Sequence, residues 1–432
     1  MGRYSKEDIY RMVEEEDVKF IRLQFCDMFG IPKNLAITVT QLEKALDNRC
    51  VFCPSQIEGY QDVPDEMYLY PDRDTFTIYP WRPQTGKVAR MYCDLRDEEG
   101  NPFEGDSRQV LKRVLDEAKA MGLVFEIRPE LEFFLFHIDD DGHPTTQTHE
   151  VAGYYDVAPL DLAENVRRDI ILSLEEMGFE ITGSHHEISP AQHQIDFAED
   201  RADRVADAVI TFKMAAKTIA KKYGLYATFM PKPKEGVNGS GMHVNIFCRD
   251  LLGKNLFWDM DGEGMVSELG RQFMAGLLAH SKAITLITNP LVNSYKRLIT
   301  GFNAPTSVSW SGRISDRSAV VNVPHRKGDA TRIEYRSPDG VCNPYLAFAV
   351  ILEAGMDGIR KQMVLPEENM GDADTLPANM GEAWECCSSD PMIRRVLGDY
   401  IYEELMKQKE AEWKEFNAVV TNWELKKYLG KY

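Results

Sequence analysis

The stretch VFEIRPELEFFLF, residues 124–136, alternates apolar and charged side chains. Successive side chains of a strand point to opposite faces. Glu126, Arg128, Glu130 and Glu132 therefore share one face, and Phe125, Ile127, Leu131 and Phe133 share the other. The apolar face belongs against a core, so the charged face must meet water or a ligand. Taken alone, this describes a solvated strand with an internal ion pair.

The pattern recurs, and the recurrence changes the reading. In TRIEYRSPD, residues 331–339, Arg332, Glu334 and Arg336 share a face opposite Ile333 and Tyr335. In SHHEISPAQHQIDF, residues 184–197, Glu187 follows His185 and His186, and Pro190 turns the chain so that Gln194 returns beside Glu187. The glycine-rich GVNGSGM, residues 236–242, lets backbone approach a ligand closely and leads into a strand that opens with His243. It is not a Walker loop, since no Lys-Ser/Thr follows and a strand comes next. Several strands thus offer carboxylates, histidine and arginine from a face expected to be interior. Carboxylate-rich sites suit Mg2+ or Mn2+ better than structural zinc, and adjacent arginines suit phosphate or carboxylate substrates. The residues alone point to metal-assisted phosphoryl chemistry on an anionic substrate.

The bulk properties agree. The 432 residues are 44% hydrophobic and 28% charged, enough for a large core, and the net charge of −19 argues against nucleic acid or an anionic membrane as partner. The opening residues lack a signal-peptide pattern, and no apolar run approaches the roughly 20 residues that span a bilayer. A cytoplasmic location is expected. The eight cysteines are scattered, as in a reduced protein, and the Cys50/Cys53 pair is read as coincidental.

Organisation follows from the same periodicities. Residues 18–40 read as two strands around a Gly-Ile-Pro turn, 41–48 as a short helix, and VARMYCDLRD as a further strand before the Gly/Pro/acidic cluster EEGNPFEGD. That cluster suggests a boundary near residue 105, with domains 1–105 and 106–432. Ser107 is expected to cap a helix that stops at Gly122. Beyond it the spacings predict a strand over 123–137, a helix over 160–177, strands near 180–197, a helix over 205–223, strands near 226–248 and a helix over 265–288. A strand over 330–336 and a helix over 344–362 follow, then a loop in LPEENMGDADTLPANMGEA and a helical tail. No internal repeat is evident.

Together, FIRLQFCDMFG, MYLYP, EFFLF, SHHE, ATFMPKP, NGSGMH, NPLVNSYKRL, RIEYRSPD and NPYLAF resemble type I glutamine synthetase nearly end to end. The resemblance implies an α+β chain: an N-terminal β-grasp domain and a C-terminal glutamine synthetase-type catalytic α/β domain on an antiparallel sheet. It implies a ring-shaped homo-oligomer with active sites between subunits, acting on glutamate and ATP with two ions of Mg2+ or Mn2+. By the same resemblance, Glu130, His243 and Glu334 would hold the ion near the ATP phosphates, and Glu132, Glu187 and Gln194 the ion near glutamate. Arg297 and Arg336 would grip and polarise the substrate carboxylates, Asn238 and Gly239 would contact the amino acid, and Arg317 and Arg332 would lie along the nucleotide phosphates. His185, His186 and His193 are read as structural.

The departures from the family pattern cluster. Gln194 stands where the family has a third ligand glutamate, Cys53 where an aspartate binds ammonium, and Asn303 where the mobile flap carries a glutamate. On the nucleotide side Asn322, Glu199 and Phe247 replace an arginine, an aromatic and a serine. The reading that follows is an ATP-dependent ligase that activates glutamate as γ-glutamyl phosphate and joins it to an organic amine. The alternatives are an ordinary glutamine synthetase, or a weak homologue acting as a glutamate or nucleotide sensor or scaffold.

Overall fold

The computed structural model describes residues 3–63, 66–259, 266–324, 327–368 and 373–432. The first unit opens with helix α1 (Lys6–Glu15), capped reciprocally by Ser5 and Asp8. It continues through β1 (Val18–Cys26), β2 (Pro32–Thr38), α2 (Leu42–Leu46), β3 (Cys50–Phe52), β4 (Met67–Pro71), β5 (Thr77–Ile78) and β6 (Lys87–Arg96). The sheet order is β2-β1-β6-β4-β3, with β5 on β6, and β1 and β6 run parallel. This is the β-grasp unit expected from the sequence. The β1–β2 turn is closed by Asp27, which accepts from the N–H of Phe29 and Ile31. Gly30 sits in this turn at φ +82, and a Cβ there would lie 2.9 Å from Cα of Asn343.

The second unit begins with α3 (Ser107–Ala120) and β7 (Val124–His137), followed by α4 (Glu164–Glu176), β8 (Ile181–His186), β9 (Gln192–Phe197), β10 (Asp200–Arg201) and α5 (Ala202–Lys222). Then come β11 (Leu225–Thr228), β12 (Met242–Arg249), α6 (Glu268–Thr288), β13 (Ser307–Ser311), β14 (Ala319–Asn322), β15 (Ile333–Tyr335) and α7 (Pro344–Arg360). Helices α8 (Met380–Ser389), α9 (Pro391–Leu397), α10 (Asp399–Ala418) and α11 (Asn422–Tyr428) complete the chain. The sheet runs β13-β14-β15-β12-β7-β9-β8, with β10 and β11 also on β7. It is antiparallel throughout except for the β13–β14 pair.

Strand β7 alternates as its sequence requires: Phe125, Ile127, Leu131 and Phe133 are buried, while Glu126, Arg128, Glu130 and Glu132 stay partly accessible. Its apolar face packs on α5, as Phe133 meets Phe212 edge-on at 5.6 Å. Behind, α6 and α7 cross at glycines. A Cβ on Gly276 would lie 2.2 Å from the Ala354 carbonyl, and one on Gly358 2.1 Å from that of Gln272.

Three expectations need correction. The cap of α3 is Asp106, not Ser107, which is the first helical residue. Asp106 has two oxygens, so it caps Arg108 N–H with one and accepts Leu95 N–H of β6 with the other, which a hydroxyl cannot do. Residues 160–163 are not helical: Glu150 accepts the Leu162 N–H and holds the chain in an irregular path before α4. Gln194 returns beside His185 rather than Glu187, whose N–H instead donates to the Gln192 carbonyl. Ala191, at φ +66, makes that turn tighter than Pro190 alone would. Of the expected loop at 365–383, residues 369–372 lie outside the described residues and α8 begins at Met380.

A buried guanidinium ties the first unit to α5. Arg108 donates to Asp94 of β6 at 2.7 Å, to Asp72 at 2.8 Å, and to both oxygens of Asp207 on α5 at 3.1 and 2.9 Å. Tyr345 of α7 donates to the same Asp207 at 2.6 Å. Removing one partner of a buried pair leaves its counter-charges uncompensated. Arg108→Met should therefore destabilise the chain by about 3–5 kcal/mol, read as a lower urea midpoint. A midpoint within error of the parent would show that these aspartates are neutral or hydrated without it.

Candidate active site

The polar face of the second sheet floors a cavity of about 580 Å³. Register explains which groups meet there. Glu130 of β7 lies opposite His243 of β12 and Asp196 of β9, Glu132 lies opposite Gln194, and Asn245 of β12 lies opposite Glu334 of β15. Directly opposed strand residues are close neighbours on one face, so pleat and pairing alone assemble the cluster. The rim comes from connecting segments bearing Tyr154 and Tyr155, Glu187 and Ile188, Asn238 and Gly239, Phe302 to Ala304, and Ile314 and Arg317.

Glu130, His243 and Glu334 form one compact donor set, with ligand atoms all within 4.8 Å of one another. His243 Nδ1 lies 2.9 Å from Glu334 Oε1 and 3.8 Å from Glu130 Oε2. Burial opposes ionisation of Glu334, but the His243 hydrogen bond, with the charges of His243, Arg336 and Arg332, holds its carboxyl down to about 2. Asn245 donates to Glu130 Oε1 at 2.9 Å and accepts from Arg332 Nε at 2.7 Å, fixing both.

Glu132 accepts the Gly241 N–H at 2.7 Å and the Gln192 amide at 3.2 Å. Burial, then the like charge of Glu187, pushes its carboxyl above the ordinary range. A divalent cation between the two carboxylates would remove that penalty. Oxygen-rich sets of this kind suit a hard cation, so both groups of residues fit the ions expected from the sequence. Gln194 lines the cavity, but its amide nitrogen donates to Asp196 at 2.7 Å, leaving the carbonyl oxygen as its available donor atom. Burial and Glu130 push Asp196 up to about 6.

Arg297 and Arg336 are nearly sealed in. Arg297 donates to the carbonyls of Ser337 at 2.6 Å and Arg336 at 3.1 Å, and Arg336 to that of Asp316 at 2.7 Å. Burial lowers the pKa of both guanidiniums, and Arg336 Nε has no hydrogen-bond partner. The glycine-rich loop closes against them: a Cβ on Gly241 would lie 2.4 Å from Arg297 Nη2, and one on Gly239 2.3 Å from the Pro231 carbonyl. Asn238 N–H donates to Ser189 at 2.9 Å, tying that loop to the β8–β9 turn. Asn303 sits at φ +54 on the rim.

The cavity thus gathers Glu130, Glu132, Glu187, Gln194, His243, Glu334, Arg297, Arg336, Arg317, Arg332, Asn238, Gly239 and Asn303. Cys53 is not among its lining. It is exposed at the end of β3, with Sγ 3.1 Å from Ser55 Oγ, and none of the described residues of the first unit lines this cavity. Glu199 lines a separate cavity with Arg3, Tyr4 and Arg90, while Asn322 and Phe247 are buried and do not line the site's cavity, although Asn322 lies opposite Glu334 in the ladder. Asn245, Gln192 and Asp196 escaped the sequence reading although period-two alternation from His243 and Gln194 reaches them. Tyr154 and Tyr155 lie on an irregular segment with no period to reveal them.

A second cluster behind the site, Glu150, His186 and His193, has metal-like spacing and is fully buried. Its hydrogen bonds speak for protons instead. Arg167 lies 3.0 Å from His193 Nδ1. A guanidinium has no acceptor, so Nδ1 must accept and Nε2 carries the hydrogen, facing Glu150 at 3.7 Å. Burial and then Arg167 hold His193 well below the ordinary histidine range, and so neutral. His186 donates from Nδ1 to the Glu187 carbonyl at 2.6 Å and faces Glu150 with Nε2 at 3.3 Å.

Comparison with known proteins gives a consistent picture. The profile for the glutamine synthetase catalytic domain matches residues 104–428, and that for the glutamine synthetase β-grasp domain matches residues 17–98. The chain is 48% identical to glutamine synthetase of Clostridium saccharobutylicum, over 100% of both sequences. It is 46% identical to that of Staphylococcus aureus strain Mu50, over 99% of each. Among solved structures, a GmaS/ADP complex superposes with a TM-score of 0.89 at 28% identity, covering 98% of this chain and 99% of that one. Plasmodium falciparum glutamine synthetase shares the fold, with a TM-score of 0.89 at 22% identity over 99% of each chain.

Loss of a direct carboxylate ligand should cost at least as much as loss of an outer partner, roughly 10–100-fold in affinity. Glu334→Gln is therefore expected to weaken Mn2+ binding by about that factor in a calorimetric titration. Unchanged affinity would remove the Glu130–His243–Glu334 group as a metal site.

Proposed function

This chain belongs to the glutamine synthetase family and is an ATP-dependent ligase of that type; from there we propose that it joins glutamate to an organic amine rather than to ammonia. The observation that carries the reading is a contrast within one cavity. Arg297, Arg336, Asn238 and Gly239, the groups suited to holding an α-amino dicarboxylate, line it, while Asn303 on its rim is neutral. A bare ammonium ion needs carboxylates around it; a larger amine can draw on contacts with its substituent.

In this reading Glu130, His243 and Glu334 hold the ion on the nucleotide side, and Glu132, Glu187 and Gln194 the ion on the glutamate side. Bound Mg2+ or Mn2+ would neutralise phosphate and acyl-phosphate charge as a Lewis acid. Arg317 and Arg332 lie along the ATP phosphates. The glutamate γ-carboxylate oxygen attacks the terminal phosphorus, ADP leaves, and γ-glutamyl phosphate forms. The amine nitrogen then attacks the γ-carbonyl carbon, a C–N bond forms, and the C–O bond to phosphate breaks. Of the two protons lost by the alkylammonium, one goes to the departing phosphate and one to water. Arg336 and Arg297, both buried and desolvated, are suited to the oxyanion and carboxylate charge.

Cys53 lies outside this chain's cavity. It would reach an active site from a neighbouring copy in a ring-shaped homo-oligomer with sites between subunits, and the exposed end of β3 is available for that contact. The second reading, ordinary glutamine synthesis, is favoured by the name shared by the 46–48% identical relatives.

Phosphate release from ATP with glutamate and Mg2+ separates the two. Turnover with primary amines and little with ammonium is expected; efficient turnover with ammonium alone would make the second reading correct. The variant Asn303→Glu restores a carboxylate worth about 1.5–3 kcal/mol per charged hydrogen bond. It should raise kcat/KM for ammonium roughly tenfold or more, and an unchanged value would show that this position does not set the acceptor.

A further inference from the structure

The rim beside Glu187 has a chemistry that the charged floor does not explain. Tyr155 stacks on His185 at 4.4 Å between centroids and 12° between planes, and Tyr154 meets Tyr155 edge-on at 4.7 Å. His185 Nε2 lies 2.9 Å from Glu187 Oε1, and the Ile188 N–H donates to Glu187 Oε2 at 3.2 Å. One carboxylate is thereby set among two tyrosines and an isoleucine, all lining the same cavity. Tyr154, Tyr155 and Ile188 are 52%, 62% and 48% exposed, and Ile314, which also lines the cavity, is 57% exposed. Phe302 and Ala304 flank Asn303 on the same rim.

This wall is braced from behind. Tyr155 has the left-handed φ of +63, and its N–H donates to the His186 carbonyl at 3.0 Å. Glu150 accepts from Leu162 on the same segment and faces His186. The aromatic pair is thus held in place on both sides of the segment that carries it.

Aromatic rings beside aliphatic carbon complement an ammonium group with an apolar substituent. The ammonium meets the ring faces of Tyr154 and Tyr155 while Glu187 holds the glutamate-side ion, and the substituent buries carbon. With the cavity's carboxylates engaged by the two ions, a second cation on the amine has only guanidiniums to meet. Arg317 lines the cavity together with Tyr154, as do Arg297, Arg332 and Arg336. A distal ammonium would be driven toward guanidiniums.

We infer that the acceptor is a primary monoamine with a short apolar substituent, seated on Tyr154, Tyr155 and Ile188, and that these residues set acceptor specificity. The inference rests on the ligase reading above. The test uses the assembled full-length enzyme with ATP, glutamate and Mg2+, following ADP release with ammonium, methylamine, ethylamine, n-propylamine, n-butylamine and 1,4-diaminobutane. From methylamine to n-propylamine kcat/KM should rise about fourfold per methylene, and 1,4-diaminobutane should fall at least about tenfold below n-butylamine. Tyr155→Ser and Ile188→Ser should each raise KM for n-propylamine about tenfold, with KM for ATP and glutamate within about twofold. Tyr154→Ser, on the same wall, gives the same reading if Tyr155→Ser fails to assemble.

A flat chain-length series, equal use of the diamine, or an unchanged amine KM in every variant that assembles would overturn the assignment of the wall. If ammonium alone supports turnover, the organic-amine reading itself fails and this inference with it. If organic amines react without these dependences, the ligase reading stands and the wall alone is wrong.

Discussion

Everything in this structure follows from putting carboxylates on the inner face of a sheet. Glu130 and Glu132 cannot avoid it, because the side chains between them must reach the core to hold β7 in place. Burying charge is costly unless it is paired. Register then brings in the partners: His243 and Asn245 from β12, Glu334 from β15, Gln192 and Gln194 from β9. Arg332 and Arg336 come from the same β15 segment, and Arg297 arrives through a loop that only glycines allow to close. The excess of acid that remains, visible in the raised Glu132 and Asp196, is the demand for cations that a ligase handling phosphate can use.

This logic explains how much was legible beforehand. Period-two alternation placed the metal-type residues on one face, and the strands bearing them are where the spacing predicts. The same logic reaches Asn245, Gln192 and Asp196, which needed only one further step along each strand. What escaped has no periodicity. Tyr154 and Tyr155 sit in an irregular segment held by Glu150, and a single side-chain-to-backbone contact of this kind leaves no periodic trace. The α3 cap was misassigned for a related reason. Ser107 and Asp106 are both good caps, and only the tertiary demand of Leu95 N–H selects the aspartate. Cys53 was legible as a departure in type, while its position outside the chain's own cavity is a matter of three-dimensional reach.

The joint between the two sheets is built with similar economy. The β1–β2 turn presses Gly30 onto the start of α7, where Asn343 both caps the helix through the N–H of Tyr345 and donates to the carbonyls of Asp27 and Met28. One side chain terminates a helix and fastens a hairpin. Because α7 also packs through Gly358 against α6, the hairpin is referenced to the same scaffold that supports the catalytic sheet.

Arg108 carries this dependence into the order in which the chain is made. Asp72 and Asp94 precede it, and Asp207 follows by 99 positions. While the first sheet emerges during synthesis, its two aspartates have no guanidinium to neutralise them. Once Arg108 appears, it lacks the α5 carboxylate that completes its coordination. The small sheet is therefore stabilised late, by residues translated well after its own, and a ribosome-bound fragment ending near residue 105 holds a charge imbalance rather than a finished domain.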